Sequence, residues 1–184
     1  MMKNSSRVGK MTLCALLAAM YVVLSSYLSI RITFLHITFA SLPVVLAAFL
    51  LGTGSAVLVA GMGEFIAQLL LYGMGVSTVL FTLPPMVRGL VVGLLASALC
   101  RGIEIEKKPL RMAGILMAGS ISTSVTTTAV LWIDSHLMGY YSFAVVFGAA
   151  IQRMVTSLVT ACLITLICIP VLAALRRAPA IRHR

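Results

Sequence analysis

ITFASLPVVLAAFLLGTGSAVLVAGMGEF, residues 37–65, decides how this chain is read. Two apolar runs face each other across Gly52-Thr53-Gly54, and no charge interrupts them until Glu64. Runs of this length and composition are membrane helices, and so short and glycine-rich a link between them predicts a tight helical hairpin. Pro43 sits inside the first run, where it either kinks the helix or marks its true start.

The rest of the sequence extends that reading. Hydrophobic residues make up 61% of the 184 positions, so no soluble globular class fits. Six apolar spans are expected, at roughly 11–30, 38–52, 55–72, 82–100, 111–133 and 143–175. Pro170 bends or closes the sixth, which is otherwise too long for a simple crossing. The expected fold is therefore an all-α membrane protein with six transmembrane helices in a single domain over residues 1–184. The run after Lys3, Arg7 and Lys10 is longer than a signal-peptide core and lacks a small-residue cleavage site, so it reads as a retained first helix.

The net charge of +10 would suggest nucleic acid in a soluble protein. Here the bases lie between the spans. Of the fourteen lysines and arginines, all but Arg31, Arg88 and Arg153 fall at the N-terminus, in the loop after the fourth span, or in the C-terminal tail. With six spans these clusters share one side, and the positive-inside rule places both termini in the cytoplasm. The bases are then topology signals, and no nucleic-acid partner is expected. Cys14, Cys100, Cys162 and Cys168 lie in or flush with apolar segments without metal-like spacing, which makes them packing residues.

Glu64, Arg88 and Arg153 do not belong in lipid. Each would cost roughly 2.5–3.5 kcal/mol at the bilayer centre unless it faced protein, water or a ligand. Pro84 and Pro85 suit the first turn of the fourth span, which puts Arg88 about one turn deep, roughly 5–6 Å. All three charges fall in the outer half of the membrane and can converge. Arg88 either snorkels to the headgroups or meets a ligand, and the arginines either pair with Glu64 or leave it for substrate. Glu64, Gln68 and Tyr72 share one helix face by their spacing of four. Ser120, Ser124, Thr128 and Trp132 repeat in the same way, either as a packing seam or as part of a site. Two arginines, one carboxylate, an amide and aromatics suit a small organic anion carrying hydrogen-bonding groups. There is no phosphate-binding loop, paired carboxylate, metal-ligand spacing or nucleophile elbow, so neither an enzyme nor a metal or organic cofactor is expected.

Ala15 and Ala19, and Gly89 and Gly93, form small-x-x-x-small patterns that let a neighbouring helix come close. Arg31-Ile32-Thr33-Phe34, Leu42-Pro43, the Gly52–Gly54 hairpin, Glu64, Phe81-Thr82 with Gly89 and Gly93, and Arg153 with Pro170 follow one another in the order of a known family. The chain resembles the substrate-binding S components of energy-coupling factor (ECF) vitamin transporters, and within them the folate-type group and its generic relatives. The resemblance implies a bacterial plasma-membrane protein that captures a small vitamin, folate- or pantothenate-like, in an outward-facing pocket. It also implies partners: a transmembrane coupling subunit docking at Ala15 and Ala19, and two ATPase subunits. The site residues expected to contact substrate are Arg31, Glu64, Gln68, Tyr72, Arg88, Trp132 and Arg153. The alternative from another class is an autonomous ion-coupled carrier that uses Glu64.

Overall fold

The computed structural model describes residues 2–27, 29–32, 35–99, 109–148 and 150–177. Helix α1 (Met2–Tyr27) is followed by a short antiparallel hairpin, β1 (Ser29–Ile32) and β2 (Leu35–Thr38), in which Arg31 is paired with His36. Then come α2 (Ser41–Leu50), α3 (Thr53–Tyr72), α4 (Val76–Leu80), α5 (Leu83–Leu99) and α6 (Pro109–Leu137). A π-helical turn at Ala144–Gly148 leads into α7 (Ala150–Arg177). Lys107, Lys108, Arg101 and Cys100 of the basic loop, and Arg182 and Arg184 of the tail, lie outside the described residues.

Five segments are long and apolar enough to cross a membrane: Val8–Tyr27, Thr53–Tyr72, Val76–Leu99, Pro109–Leu137 and Val146–Val171. The expected second span is the exception. Its first residue, Thr38, closes strand β2, a turn follows at Phe39 and Ala40, and its helix has ten residues. At 1.5 Å per residue α2 is about 15 Å long, half the hydrocarbon thickness. Pro43 falls in its first turn, so the proline marks the start of this helix and does not kink a longer one. Pro170 lies inside a continuous α7. The expected outer loop at 134–142 is also shorter, because α6 runs on to Leu137 and carries Asp134 and His136 within it.

Short as it is, α2 forms the centre of the bundle. Every residue from Ser41 to Ala48 is buried, and the helix touches α1, α3, α5 and α7. A helix apolar on all faces is stable only when packed on all faces. Gly52, with φ of +95°, makes the sharp turn from α2 into α3 that a side chain would resist.

Around this centre α5 packs against α3 on one side and α6 on the other, and α6 packs against α7. The α3–α5 contact is closest where α5 has no side chains. A Cβ on Gly89 would lie 2.9 Å from the Ala56 carbonyl oxygen, and one on Gly93 would lie 2.7 Å from the Thr53 Cα. The small-residue seam expected in the fourth span is thus the α3–α5 interface. Across α1, Ala15 and Ala19 are exposed, leaving their face uncovered. Of the cysteines described, Cys14 is half-buried, Cys162 exposed and Cys168 buried, all unpaired.

A buried carboxylate ties the ends of these helices together. Asp134 is 3% exposed. Its Oδ1 accepts from Ser77 Oγ of α4 at 2.6 Å, and its Oδ2 accepts from the Tyr140 hydroxyl in the turn after α6. The hydrogen bond to Asp134 holds the Tyr140 phenol above its ordinary pKa, with lesser contributions from burial and from the carboxylate charge. This stabilising contact is complete below the ordinary tyrosine value of about 10 and is lost as pH rises through the raised value.

Two outcomes are expected. Gly93→Leu forces backbone apart and costs about 1–3 kcal/mol, lowering the melting temperature, whereas Gly54→Ala leaves it unchanged because a Cβ there meets nothing within 4 Å. Thermal unfolding of wild type and Tyr140→Phe should differ at neutral pH and converge only as pH rises beyond about 10 and through the raised value of the Tyr140 phenol.

Candidate functional site

At the end of the bundle where α1 and α3 finish and α5 and α7 begin, a cavity of about 590 Å³ opens between α1, α2, α3, α5, α6 and α7. Its α1–α3 wall is built on a missing side chain. A Cβ on Gly63 would lie 2.7 Å from the Tyr21 ring, so glycine is what lets Tyr21 lie flat across α3. From there the Tyr21 hydroxyl donates to Glu64 Oε2 at 2.6 Å. One turn further along α3, Gln68 Nε2 donates to Glu64 Oε1 at 2.7 Å. Both carboxylate oxygens are engaged, and Tyr72 continues the same face at the rim of the cavity.

The second wall carries the positive charge. Arg88 stands one turn into α5, after Pro84 and Pro85, and lines the cavity. Its Nε donates to Thr123 Oγ1 of α6 at 2.9 Å, and Thr123 in turn donates to the Gly119 carbonyl at 2.7 Å. Arg88 also lies within electrostatic reach of Glu64 and Tyr21. It does not reach for the membrane surface; α6 holds it in place. Arg153 enters from α7, with Nη2 donating 2.6 Å to the Val146 carbonyl in the π-helical turn. Such turns leave carbonyls open to other donors. Its Nε is buried and has no hydrogen-bond partner among the described residues.

Five of the seven residues expected from sequence therefore line one cavity: Glu64, Gln68, Tyr72, Arg88 and Arg153. Trp132 does not. It is 47% exposed and packs at a tilt against His136, with ring centroids 4.7 Å apart, while His136 packs at a tilt against Tyr141 at 4.2 Å. Trp132 borders a separate apolar groove between α6 and α7 with Phe147, Ile151 and Met154. The reason is helical rotation. The spacing of four that links Ser124 to Trp132 drifts around α6, so Ser124 touches the cavity while Thr128 and Trp132 pass to the outer groove. Arg31 lies in β1 opposite His36, and its side chain falls outside the described residues.

Sequence reading missed Tyr21, Thr123 and Thr127, all of which line the cavity. Thr123 and Thr127 are also four apart, one position back from the stripe singled out, so the periodicity was present but its phase was not. Tyr21 carries no charge in an apolar run, and only its contact with Gly63 distinguishes it. Among the described residues no cluster of three histidine, cysteine or acidic side chains is placed to hold a metal ion.

The site is thus a partly enclosed cavity within a helical membrane bundle, its polar side chains set among apolar ones, with two guanidiniums and one carboxylate already fixed by protein contacts. It offers binding groups and no assembled catalytic set. Comparison with curated proteins and with solved structures returned no match. The family model described as "ECF-type riboflavin transporter, S component" matches residues 5–177. That match spans nearly all of the chain, and S components are substrate-binding subunits that work with ECF membrane and ATPase modules, not enzymes. This multi-pass membrane protein belongs to the S components of the ECF-type transporters.

Proposed function

We propose that the cavity is the vitamin-capture site and that it opens to the outside of a bacterial plasma membrane, with both termini in the cytoplasm. The observation that carries this reading is the convergence of Arg88, Arg153 and Glu64 on one cavity at a single end of the bundle. The basic residues at the start of α1 and the end of α7 belong to the opposite end, which the positive-inside rule assigns to the cytoplasm. The exposed Ala15 and Ala19 face of α1 docks the transmembrane coupling subunit, which carries two ATPase subunits.

Riboflavin, named in the description of the matching family, is the leading ligand. A second reading, a small anionic vitamin such as folate or pantothenate, is favoured by the two guanidiniums set against one carboxylate. Either ligand would be held through Arg88, whose observed bond uses only Nε, and through the Nε of Arg153. Glu64 is better suited to fixing Tyr21 and Gln68 than to carrying a coupling proton, since both of its oxygens are engaged.

Titration of the purified chain with riboflavin, folate and pantothenate identifies the ligand. Arg88→Ala and Arg153→Ala are each expected to weaken its binding by about tenfold or more, the scale of one charged hydrogen bond. Unchanged affinity in both variants would remove the cavity from consideration. Proteoliposomes holding this chain alone should show no uptake driven by an ion gradient; uptake there would favour a Glu64-dependent carrier.

A further inference from the structure

Arg88 can serve a ligand only in the direction its guanidinium points, and α6 sets that direction. The α5–α6 contact is built on a missing side chain. A Cβ on Gly119 would lie 2.5 Å from Val92 Cγ2 and 3.7 Å from Arg88 Cγ. Val92 and the stem of Arg88, one turn apart on α5, therefore lie against bare backbone of α6, with Val92 fully buried. On the inner side of Arg88, between α2, α5, α6 and α7, the packing leaves a void of only about 10 Å³, too small to take a guanidinium. The space open to the head of the side chain is the cavity itself.

Thr123 removes the freedom to wander there. Its hydroxyl proton is held by the Gly119 carbonyl at 2.7 Å, and its oxygen accepts from Arg88 Nε at 2.9 Å. A threonine bonded to the carbonyl one turn back has its side-chain torsion fixed twice, by β-branching and by that bond. Gly119 thus acts at both ends of the arginine: its absent Cβ admits the stem, and its carbonyl aims the acceptor that meets Nε. Thr126 and Thr127 make the same bond to their own helix, to the Ser122 and Thr123 carbonyls, but hold no arginine among the described residues.

The nitrogen that Thr123 takes decides what is left. A guanidinium grips a pair of acceptors either side-on, through Nε and one Nη, or end-on, through both Nη groups. With Nε given to Thr123, the end-on fork remains for the cavity. Glu64 and Tyr21 lie within electrostatic reach of the same guanidinium and are hydrogen-bonded to each other. We infer that Thr123 is a positioning residue for capture, holding Arg88 so that Nη1 and Nη2 together face the ligand. A long side chain is then ordered when the protein folds and not when the ligand arrives, and a site ordered beforehand binds more tightly. The inference rests on the capture reading, and it holds for any vitamin that sets two acceptor atoms side by side.

A double-mutant cycle tests it, using whichever of riboflavin, folate and pantothenate the wild type binds. Thr123→Val keeps shape and branching but has no acceptor, and it is expected to weaken binding about 3- to 10-fold, the scale of ordering one long side chain at each binding event. Thr123→Ser restores the hydroxyl and should bind within about twofold of wild type. In an Arg88→Ala background, Thr123→Val should change affinity by less than about twofold, because no guanidinium is left to place. Thr126→Val, outside the cavity, should bind as wild type does. Equal losses in the two backgrounds overturn the inference and leave the capture reading standing. Arg88→Ala without effect removes Arg88 from the capture reading itself.

A readout without ligand accompanies the cycle. With arginine labelled at Nε and the protein in detergent micelles, the Arg88 Nε–H resonance is identified by its absence in Arg88→Lys. That proton should exchange with water about tenfold faster in Thr123→Val than in wild type or Thr123→Ser. Equal exchange in all three overturns the inference whether or not a vitamin binds. Melting curves that match wild type show that neither effect is loss of fold, and if the valine variant does not fold, Thr123→Ala takes its place.

Discussion

The close approach of α3 and α5 is the constraint from which the rest of the site follows. Two glycines on α5 let its backbone come against Ala56 and Thr53 of α3, with no room for a Cβ at either position. Without an apolar driving force between helices in lipid, such contact is held by dispersion and by the packing that small residues permit. The effect is chemical as well as structural. It carries Arg88, the residue before Gly89, up against the α3 face that bears Glu64. A charge that lipid would reject is thereby surrounded by Thr123, Tyr21 and a carboxylate within electrostatic reach. The desolvation cost of the guanidinium is offset only because the seam closes.

A second consequence is that the polar lining is already organised. Rows of serine and threonine on α6 and α7 bond to carbonyls of their own helices or, at Ser157, to the neighbouring helix. Back-bonding of this kind satisfies hydroxyls in an apolar medium, so they do not destabilise the membrane-embedded bundle. It also fixes which way each hydroxyl points. Along α6 and α7 the cavity wall has thereby lost the freedom that rotatable hydroxyls would give it to adapt to donors and acceptors alike.

How much of this the sequence revealed depended on whether the signal was local. Gly52 announced a sharp turn and Pro43 a break in the helix, either a kink or a start, because backbone geometry at those residues needs no partner; the structure makes Pro43 a start. Charges stranded in apolar runs identified Glu64, Arg88 and Arg153, because their cost in lipid is large wherever the chain goes. The β1–β2 hairpin was read as helix ends and loop, since a short aliphatic run carries no periodicity long enough to separate strand from helix. Trp132 was assigned to the cavity wall by a spacing of four that the 3.6-residue turn does not sustain over three repeats. Tyr21 was invisible, because its role comes from a glycine 42 positions away that only folding brings beneath it. The same holds for Asp134, whose bond to Ser77 joins α4 to α6 across 57 residues of sequence.

The distribution of satisfied and unsatisfied atoms then indicates where binding free energy resides. Oxygens that already hold a protein partner gain little when a ligand replaces solvent around them. Among the described residues, the buried side-chain atoms without a partner are the Ser26 and Ser41 hydroxyls and the Arg153 Nε. All three residues line the cavity: Ser26 at the end of α1, Ser41 at the start of α2, and Arg153 on the far side in α7. A ligand that reaches all three binds α1, α2 and α7 to one another through its own atoms. A ligand bound there would stabilise that end of the bundle, by the linkage that stabilises any state a ligand prefers.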